Sequence, residues 1–237
     1  MTSQVSRAEI ISLRVGMPQP AQYRNKEILT GISKQSVEGP LHLSRTNLQG
    51  DGQGDLIHHG GPDKAVCVYP FEHYAYWAER LGKTFEYGAF GENITLQGLP
   101  ESDVCIGDAF RFGEAIVQVS QPRQPCYKLS MKHGLPQLPA MVEETGFTGY
   151  YFRVLQEGRV SRSDGLVRLS EHQLRFSVAE ANRIMHQDKG DEAAIERILK
   201  VDALSANWRA TFTKRLNGIA TDTSERLTGR ANQEGGA

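Results

Sequence analysis

A cysteine in an unusual setting is the first residue of this sequence that could do chemistry. The stretch SQPRQPCYKLS (120–130) places Cys126 between Arg123 and Lys128, with Pro122 and Pro125 on its N-terminal side. Positive charges near a sulfur favour the thiolate, and the two prolines stiffen the chain that leads to it. A thiolate can act as a nucleophile or as a soft metal ligand, whereas most cysteines are simply buried apolar residues. The residues alone leave these interpretations open.

A nucleophilic role for this cysteine would need a nearby base. His133 and His59 are available in the sequence, but the surroundings typical of a cysteine protease are absent. The nucleophile therefore stays one alternative beside the metal ligand.

Three glycine-rich stretches gather further polar side chains. They are TGISKQSV (30–37) with Lys34, GDGQGDLIHHGGPDKAV (50–66) with Asp55 and His59, and GAFGENI (88–94) with Glu92 and Asn93. Glycine lets backbone N–H groups approach a ligand, although such loops also serve as plain turns in β proteins. No P-loop or dinucleotide-binding pattern is present. Asp55, His58 and His59 could bind a metal. They lack the H-E-x-x-H spacing or a further nearby ligand, so a zinc site is not favoured.

The segments that must position these residues are mostly short strands. β-Branched and aromatic residues lie between turn signals in IISLRV (10–15), KAVCVY (64–69), ENITLQ (92–97), DAFRFG (108–113) and EAIVQVSQ (114–121). The last two predict a hairpin that turns near Gly113 and Glu114. Many short strands without helix–strand alternation favour a β-barrel over a parallel α/β sheet.

Helices are predicted in two places. PFEHYAYWAERLG begins with Pro70 near its first position and ends at Gly82, with Phe71, Tyr74, Ala75, Ala78 and Leu81 on one face. After about Ser170, three short helices follow in a row, with Ser177, Asp191 and Ser205 as their N-caps. None could stand alone, so they should bundle together and pack on the larger domain.

Composition indicates a globular protein in a reducing compartment. Hydrophobic residues make up 39% and charged residues 23% of the 237 residues, and the net charge of −1 gives no general attraction to nucleic acid or an acidic membrane. No signal peptide pattern is present, and no apolar run reaches the roughly 18 residues of a spanning helix. Three cysteines without a C-x-x-C pair do not fit a disulfide scaffold. We therefore expect a cytoplasmic protein with no nucleic-acid or membrane partner.

Several motifs together resemble the MOSC family and, within it, the YiiM-type subgroup. They are DLIHHGGPDKAVCVYP (55–70), GAFGENITLQGL (88–99) and CIGDAFRFGEAIVQVSQPRQPCYKL (105–129), and the likeness extends from about residue 9 to 216. The resemblance implies a mainly β fold with helices, a MOSC-type β-barrel followed by a small three-helix C-terminal domain. We expect the barrel domain over 1–169, the helical domain over 170–218 and a flexible tail over 219–237.

The family resemblance also implies a pterin-based molybdenum cofactor (Mo-molybdopterin) held by one protein thiolate. The family's metal-binding cysteine corresponds to Cys126. Its other cofactor contacts correspond to Lys34, Asp55, His59, Gly60, Gly61, Gly91, Glu92, Asn93 and Arg123. Lys34 and Arg123 suit the cofactor's phosphate, and a soft thiolate suits a metal already bound by sulfur.

The implied activity is the reduction of N-hydroxylated compounds, such as 6-N-hydroxylaminopurine and related bases, to amines. Release of water in that reaction requires two protons, which Asp55 or His59 could supply. Since no flavin or iron–sulfur pattern is present, the electrons should come from a separate reductase. The helical domain could bind that reductase, form a homodimer or serve packing alone.

Two alternatives to the enzyme stay open at this point. One is a cofactor carrier or sulfur-transfer module that binds the molybdenum cofactor without its own turnover. The other is a structural barrel whose metal site is vestigial. A free-standing chain with its own helical domain favours the enzyme.

Overall fold

A closed β-barrel forms the larger part of the molecule. The computed structural model describes residues 7–55 and 60–229. The strands are β1 (Arg7–Val15), β2 (Gln19–Tyr23), β3 (Lys26–Thr30), β4 (Gln35–Ser36), β5 (Leu41–Leu43), β6 (Val66–Pro70), β7 (Ile94–Gln97), β8 (Ala109–Phe112), β9 (Ala115–Pro122), β10 (Tyr150–Gln156), β11 (Gly158–Val160) and β12 (Leu166–Ser170). Seven of them, in the order β12-β8-β9-β10-β6-β7-β1, close into a barrel through the pairing of β1 with β12.

The barrel pairings are antiparallel except between β6 and β7, which run parallel. Closure leaves no free sheet edge along the ring, which protects these short strands from pairing with other chains. The predicted hairpin is present, with Phe112 opposite Ala115 and Gly113 at a φ of 55° in its turn. Side chains such as Leu13, Val68, Phe110 and Phe152 fill the barrel interior.

Helices cover one side of the barrel and form the C-terminal region. They are α1 (His73–Leu81), α2 (Tyr127–His133), α3 (Leu138–Thr145), α4 (Val178–Asn182), α5 (Glu192–Leu199), α6 (Ala206–Leu216) and α7 (Ser224–Thr228). Short 3-10 turns occupy Pro62–Lys64 and Arg162–Asp164, and a π-helical turn, Arg183–Gln187, continues α4. Within the described ranges, no helix is both long and apolar enough to span a lipid bilayer.

Helix α1 starts later than the sequence pattern predicts, and its buried face includes the predicted Tyr74 and the partly buried Leu81 but is shifted towards Trp77. Pro70 is the last residue of β6, so the helix begins only at His73. Its buried residues are His73, Tyr74 and Trp77, whereas Ala75 is exposed. The buried face includes Trp77, which the predicted face left out. Trp77 is fully buried against Tyr69 and Phe90. The predicted end at Gly82, in the left-handed conformation, is confirmed.

The three C-terminal helices pack around their own apolar cluster, which includes Ile195, Trp208 and Phe212. Ser177 and Asp191 act as the predicted N-caps and accept from the backbone N–H groups of Glu180 and Ala194. Ser205 occupies the N-cap position of α6, but its hydroxyl bonds to Asn207 Oδ1 instead of the helix backbone.

The segment 219–237, expected to be a flexible tail, contains a short helix in its described part. Residues 224–228 form α7, which packs against α2 on the barrel. The four residues 56–59, which include His58 and His59, and the last eight, 230–237, lie outside the described residues.

Candidate functional site

A pocket lies at the end of the barrel where several loops meet β6 and β9. Its empty space, including the open mouth, is about 570 Å³. The described residues that line it are Thr30, Gly31, Ile32, Lys34, Asp51, Gly52, Gln53, Gly54, Lys64, Cys67, Gly91, Asn93, Arg123, Cys126, Lys128 and Tyr151. All four stretches that the sequence analysis singled out contribute to this wall.

Cys126 lies at the junction between β9 and α2. It is the N-cap residue of α2 in an extended conformation, and only 5% of its surface is exposed. Three residues earlier, the Arg123 backbone N–H donates to Gly149 O at 3.0 Å, which fixes the turn to the start of β10. The turn therefore presents a thiol and a guanidinium to one pocket.

The Arg123 guanidinium is buried with an unused donor. Only 6% of the residue is exposed, and its Nη1 has no hydrogen-bond partner among the described residues. An unpaired buried polar group costs free energy, so a native structure normally supplies it with a partner. Because Arg123 lines the pocket, a ligand bound there can provide that acceptor.

Cys67 is a second thiol in the pocket wall, and the sequence analysis did not assign it a role. It sits on β6 directly opposite Tyr151 of β10. Burial raises the pKa of the Cys67 thiol to about 11, against the opposing effect of nearby Arg123, so it is a neutral thiol near pH 7. Side chains alternate along a strand, and Val66 and Val68 fill the barrel. That alternation is the signal that places Cys67 on the opposite side, facing the pocket.

Lys34 does line the pocket, but its ammonium group is already paired. It forms an ion pair with Asp51, and the two side chains are 6% and 1% exposed. The same Asp51 oxygen accepts from the Gly16 backbone N–H at 2.8 Å, while the second oxygen has no hydrogen-bond partner within residues 7–55 and 60–229. The pair joins the 30–34 and 50–54 loops, so Lys34 has a role in building the wall as well as in charging it.

Positive charge dominates the pocket lining. The lining contains four cationic side chains, those of Lys34, Lys64, Arg123 and Lys128. Among the described residues, the one carboxylate in the lining is that of Asp51. Lys64 and Lys128 are 9% and 8% exposed, and desolvation lowers the pKa of Lys64 despite the nearby carboxylates of Asp63 and Asp55. Cations held in a poorly hydrated pocket attract an anionic ligand more strongly than they would in water.

The predicted cofactor contact Glu92 is placed differently from its two neighbours. Gly91 and Asn93 line the pocket, but the fully buried Glu92 carboxylate points into its own loop. It accepts from the Gly88 and Phe90 backbone N–H groups at 2.8 and 3.0 Å, from Thr95 Oγ1 at 2.9 Å and from the Tyr74 hydroxyl. Glu92 therefore shapes the loop that presents its neighbours.

Asn93 holds two barrel strands together at the pocket wall. Its Nδ2 donates to Arg14 O at 3.1 Å on β1, and its Oδ1 accepts from the Cys67 N–H at 3.0 Å on β6. These bonds continue the strand ladder across the point where β7 begins. The side chain is 3% exposed, so its contribution to the pocket comes mainly through position.

Glycines in the pocket loops allow the backbones to approach one another closely. A Cβ on Gly31 would lie 2.4 Å from Gly52 O, and one on Gly54 would lie 2.2 Å from Leu29 O. Gly91 combines a φ of 78° with a Cβ position 2.8 Å from Ile32 Cγ1. These contacts give the glycine-rich sequence a packing reason as well as the ligand-approach reason expected from the sequence.

The remaining predicted site residues belong to the 55–61 segment. Gly60 and Gly61 precede the Pro62–Lys64 turn, with Gly61 at a φ of 96°, and neither lines the pocket in the described part of the chain. Asp55 does not line it either, although its charge acts on the pKa of Lys64 and of Tyr127. His59 lies outside the described residues, so its predicted role stays a prediction.

The donors in this pocket do not form a protein-only metal site. Within residues 7–55 and 60–229, no three His, Cys, Asp or Glu side chains group closely enough to hold a metal ion. The pocket offers the two free thiols of Cys67 and Cys126, several cations, and a guanidinium N–H group of Arg123 that has no partner among the described residues. This donor set suits an anionic ligand that brings its own metal donors.

Barrel and pocket together define a small β-barrel protein with a cationic, thiol-containing ligand pocket. The chain belongs to the MOSC domain family: the family's domain matches residues 55–167, and a YiiM-like 3-alpha helix domain matches residues 177–218.

Relatives of known sequence and structure agree with this family. The chain is 53% identical over 209 residues to the uncharacterized protein YflK of Bacillus subtilis, covering 88% of this chain and 95% of YflK. It is 40% identical to protein YiiM of Escherichia coli, over 85% of this chain and 91% of YiiM. The crystal structure of that YiiM superimposes with a TM-score of 0.78 and 35% identity, covering 94% of this chain and 98% of the other.

A third relative carries a functional name. A protein named reductase from Gibberella moniliformis is 33% identical over 163 residues, which are 67% of this chain and 29% of that protein.

Proposed function

We propose that this protein binds the molybdenum cofactor in the pocket and reduces N-hydroxylated compounds to amines, with Cys126 as the thiolate ligand of molybdenum. One observation carries the proposal. Cys126 and the unpartnered Nη1 of Arg123 line the same cationic pocket, three residues apart on one turn. The MOSC family is known for molybdenum cofactor binding, and this chain's pocket has the donors that such a ligand needs.

The pocket residues fit the chemistry of this cofactor. A soft thiolate suits a metal that the cofactor's dithiolene sulfurs already bind, and no further protein ligand is then required. The cofactor's phosphate and polar pterin edges need hydrogen-bond donors, which Arg123 and Lys128 supply from the wall. Cys67 is the weaker candidate ligand because burial keeps it a neutral thiol near pH 7.

Each pocket residue has a separate task in the proposed reaction. When bound, the cofactor supplies the two-electron step that breaks the N–O bond. Cys126 holds the metal, Arg123 donates from Nη1 to the anionic ligand, and the Lys34–Asp51 pair keeps the facing loops in place. Asp55, whose charge acts on the pKa of Lys64 in the pocket wall, and His59 are proposed to deliver the two protons for water release.

Electrons are proposed to come from a separate reductase, since the sequence contains no flavin or iron–sulfur pattern. The relative named reductase contains a domain of this type as 29% of its length, and its name agrees with the proposed redox role. Formation of a homodimer is a second prediction, in addition to the separate reductase.

Turnover by the cofactor-loaded protein tests the proposal. The protein is reduced with a chemical electron donor and incubated with 6-N-hydroxylaminopurine, and formation of adenine is followed by chromatography. We expect catalytic conversion by the wild type and loss of conversion in Cys126→Ser. Molybdenum bound without conversion of any N-hydroxylated compound would favour a cofactor carrier or sulfur-transfer module. Absence of molybdenum after expression with the cofactor would favour a vestigial site.

A further inference from the structure

The described C-terminal segment after the helical domain lies against the turn that carries Cys126. We name residues 219–229 the C-terminal strap. The matched YiiM-like helical domain ends at residue 218, so the strap lies beyond it. Its helix α7 packs against α2, whose N-cap is Cys126. The strap thus joins the end of the described chain to the pocket wall.

Arg226 makes the central contact of the strap. Its Nη1 donates to the backbone carbonyl of Pro125, the residue directly before Cys126, and its Nη2 pairs with Glu143 Oε1 at 2.6 Å on α3. The Arg226 side chain is 21% exposed and that of Glu143 is 16% exposed, so solvent screens this pair only in part. One guanidinium therefore ties the Cys126 turn to a neighbouring helix.

An aromatic contact supports the same region. Tyr127 stacks on Tyr23 of β2 with ring centroids 5.1 Å apart and an interplanar angle of 27°. Gly229 closes the strap over this pair, since a Cβ there would lie 3.0 Å from both rings. The Tyr23 hydroxyl also lies 3.5 Å from Thr228 O. The residue on each side of Cys126 is thus in contact with the strap.

The turn itself has few means of holding its own shape. Pro122 and Pro125 have no backbone N–H, so neither can donate to a neighbouring strand or turn. The Arg123 backbone N–H donates to Gly149 O, and the Cys126 carbonyl accepts from the Leu129 N–H at the start of α2, each at 3.0 Å. A donor from outside the turn, such as Arg226, can therefore contribute much of its rigidity.

We propose that the C-terminal strap fixes the position of the Cys126 thiol and that Arg226 is its positioning residue. The role of this restraint in catalysis rests on the proposed function, in which Cys126 binds the metal. The restraint itself concerns only this chain's own residues and can be measured without the cofactor.

Alkylation of Cys126 measures the restraint. The full chain is prepared without cofactor and treated with iodoacetamide, and each cysteine is followed separately by peptide mass spectrometry. Because Cys126 is 5% exposed, its modification requires local opening of the turn. We expect Arg226→Ala to raise the rate at Cys126 about tenfold, as the loss of a charged hydrogen bond would. Arg226→Lys keeps the charge without the forked donor and should give a smaller rise.

The other two thiols and a second arginine serve as controls. Cys67 lies on β6 in the same pocket wall and Cys105 lies outside the pocket lining; both are buried, and their rates should stay at the wild-type value in Arg226→Ala. Arg209 likewise donates to backbone carbonyls, those of Leu199 and Val201 at 2.6 Å each, but within the helical domain. Arg209→Ala should leave the Cys126 rate unchanged.

Two results would overturn the proposal. An unchanged Cys126 rate in Arg226→Ala would show that the strap does not restrain the turn, and an equal rise at all three cysteines would show general loosening. Molybdenum content, measured separately after expression with the cofactor, distinguishes the two proposals. A wild-type chain without molybdenum contradicts the proposed function and leaves the alkylation result intact.

Discussion

Lys34 and Asp51, seventeen residues apart in the sequence, form an ion pair in which both side chains are almost completely buried. The pair joins two loops of the pocket wall, and its Asp51 oxygen also holds the Gly16 backbone. The Lys34 ammonium group, which was expected to bind a ligand, is thus already paired with a carboxylate of the protein. The charge available to an incoming anion comes mainly from Arg123 and Lys128, which line the other side.

Removal of one partner of this pair should destabilise the protein strongly. Asp51→Asn leaves the buried Lys34 ammonium without its counter-charge, and we expect a loss of about 3 kcal/mol in the free energy of unfolding. Urea denaturation of Asp51→Asn, Lys34→Met and the double variant measures this. The double variant should lose clearly less than the sum of the two single losses. Strict additivity would contradict a coupled pair.

Arg123 should lower the free energy of unfolding of the cofactor-free protein and contribute to ligand binding. Since its buried Nη1 has no partner in the described part of the chain, Arg123→Met should keep or raise the free energy of unfolding of the cofactor-free protein, by up to about 1 kcal/mol. The same variant should lose most of its molybdenum. Arg111→Met on the exposed side of β8 is the matched control and should change neither quantity appreciably. A strong destabilisation of Arg123→Met would mean that the guanidinium is satisfied within the protein.

Glu92 should prove structural. Glu92→Gln places an amide NH₂ where the carboxylate now accepts from two backbone N–H groups and two hydroxyls, so we expect a loss of about 2 kcal/mol or more. Glu86→Gln, an exposed change in the same loop, should stay within about 0.5 kcal/mol of the wild type. Chemical denaturation compares the two. Equal stability of Glu92→Gln and Glu86→Gln would contradict this role.

His186 should make the protein less stable in acid. Burial, together with the nearby Arg226 and Arg215 charges, lowers the pKa of His186 to about 3, so the folded state keeps a neutral ring while the unfolded state takes up a proton below its ordinary pKa of 6.5. The contribution of His186 to the free energy of unfolding is therefore constant above pH 6.5. It falls as the pH drops towards 3, by up to about 1.4 kcal/mol for each pH unit.

Urea denaturation of wild type and His186→Leu between pH 4 and pH 8 measures this effect. The difference at pH 8 reports packing alone, and the variant should lose less stability than the wild type as the pH falls. A pH profile parallel to the wild type would contradict the buried neutral ring.

Much of the fold could be predicted because the local patterns and the tertiary structure agree. The alternation in EAIVQVSQ and the turn at Gly113 define β9 and its hairpin, and Asp191 caps α5 as its sequence position predicts. Helix α1 shows the limit of such patterns. Pro70 suits a helix start by residue type, but the ladder between β6 and β7 includes it as a strand residue instead.

Of the predicted site residues, Lys34, Gly91, Asn93, Arg123 and Cys126 line the pocket, whereas Asp55, Gly60, Gly61 and Glu92 do not, and what any of them binds stays a prediction. Arg123 and Cys126 lie three residues apart on one short turn, and both line the pocket. The pairing of Lys34 with Asp51 depends on how two distant loops meet, which no local pattern records. The same holds for Arg226, which reaches Pro125 from 101 residues away.

The molybdenum content of cysteine variants tests the central claim most directly. Wild type, Cys126→Ser, Cys67→Ser and Cys105→Ser are expressed with the cofactor available, and metal is measured per chain after purification. If Cys126 is the ligand, Cys126→Ser retains only background molybdenum, while Cys105→Ser, at a site far from the pocket lining, retains the wild-type amount. Wild-type molybdenum in Cys126→Ser, or its loss in Cys67→Ser alone, would contradict the account.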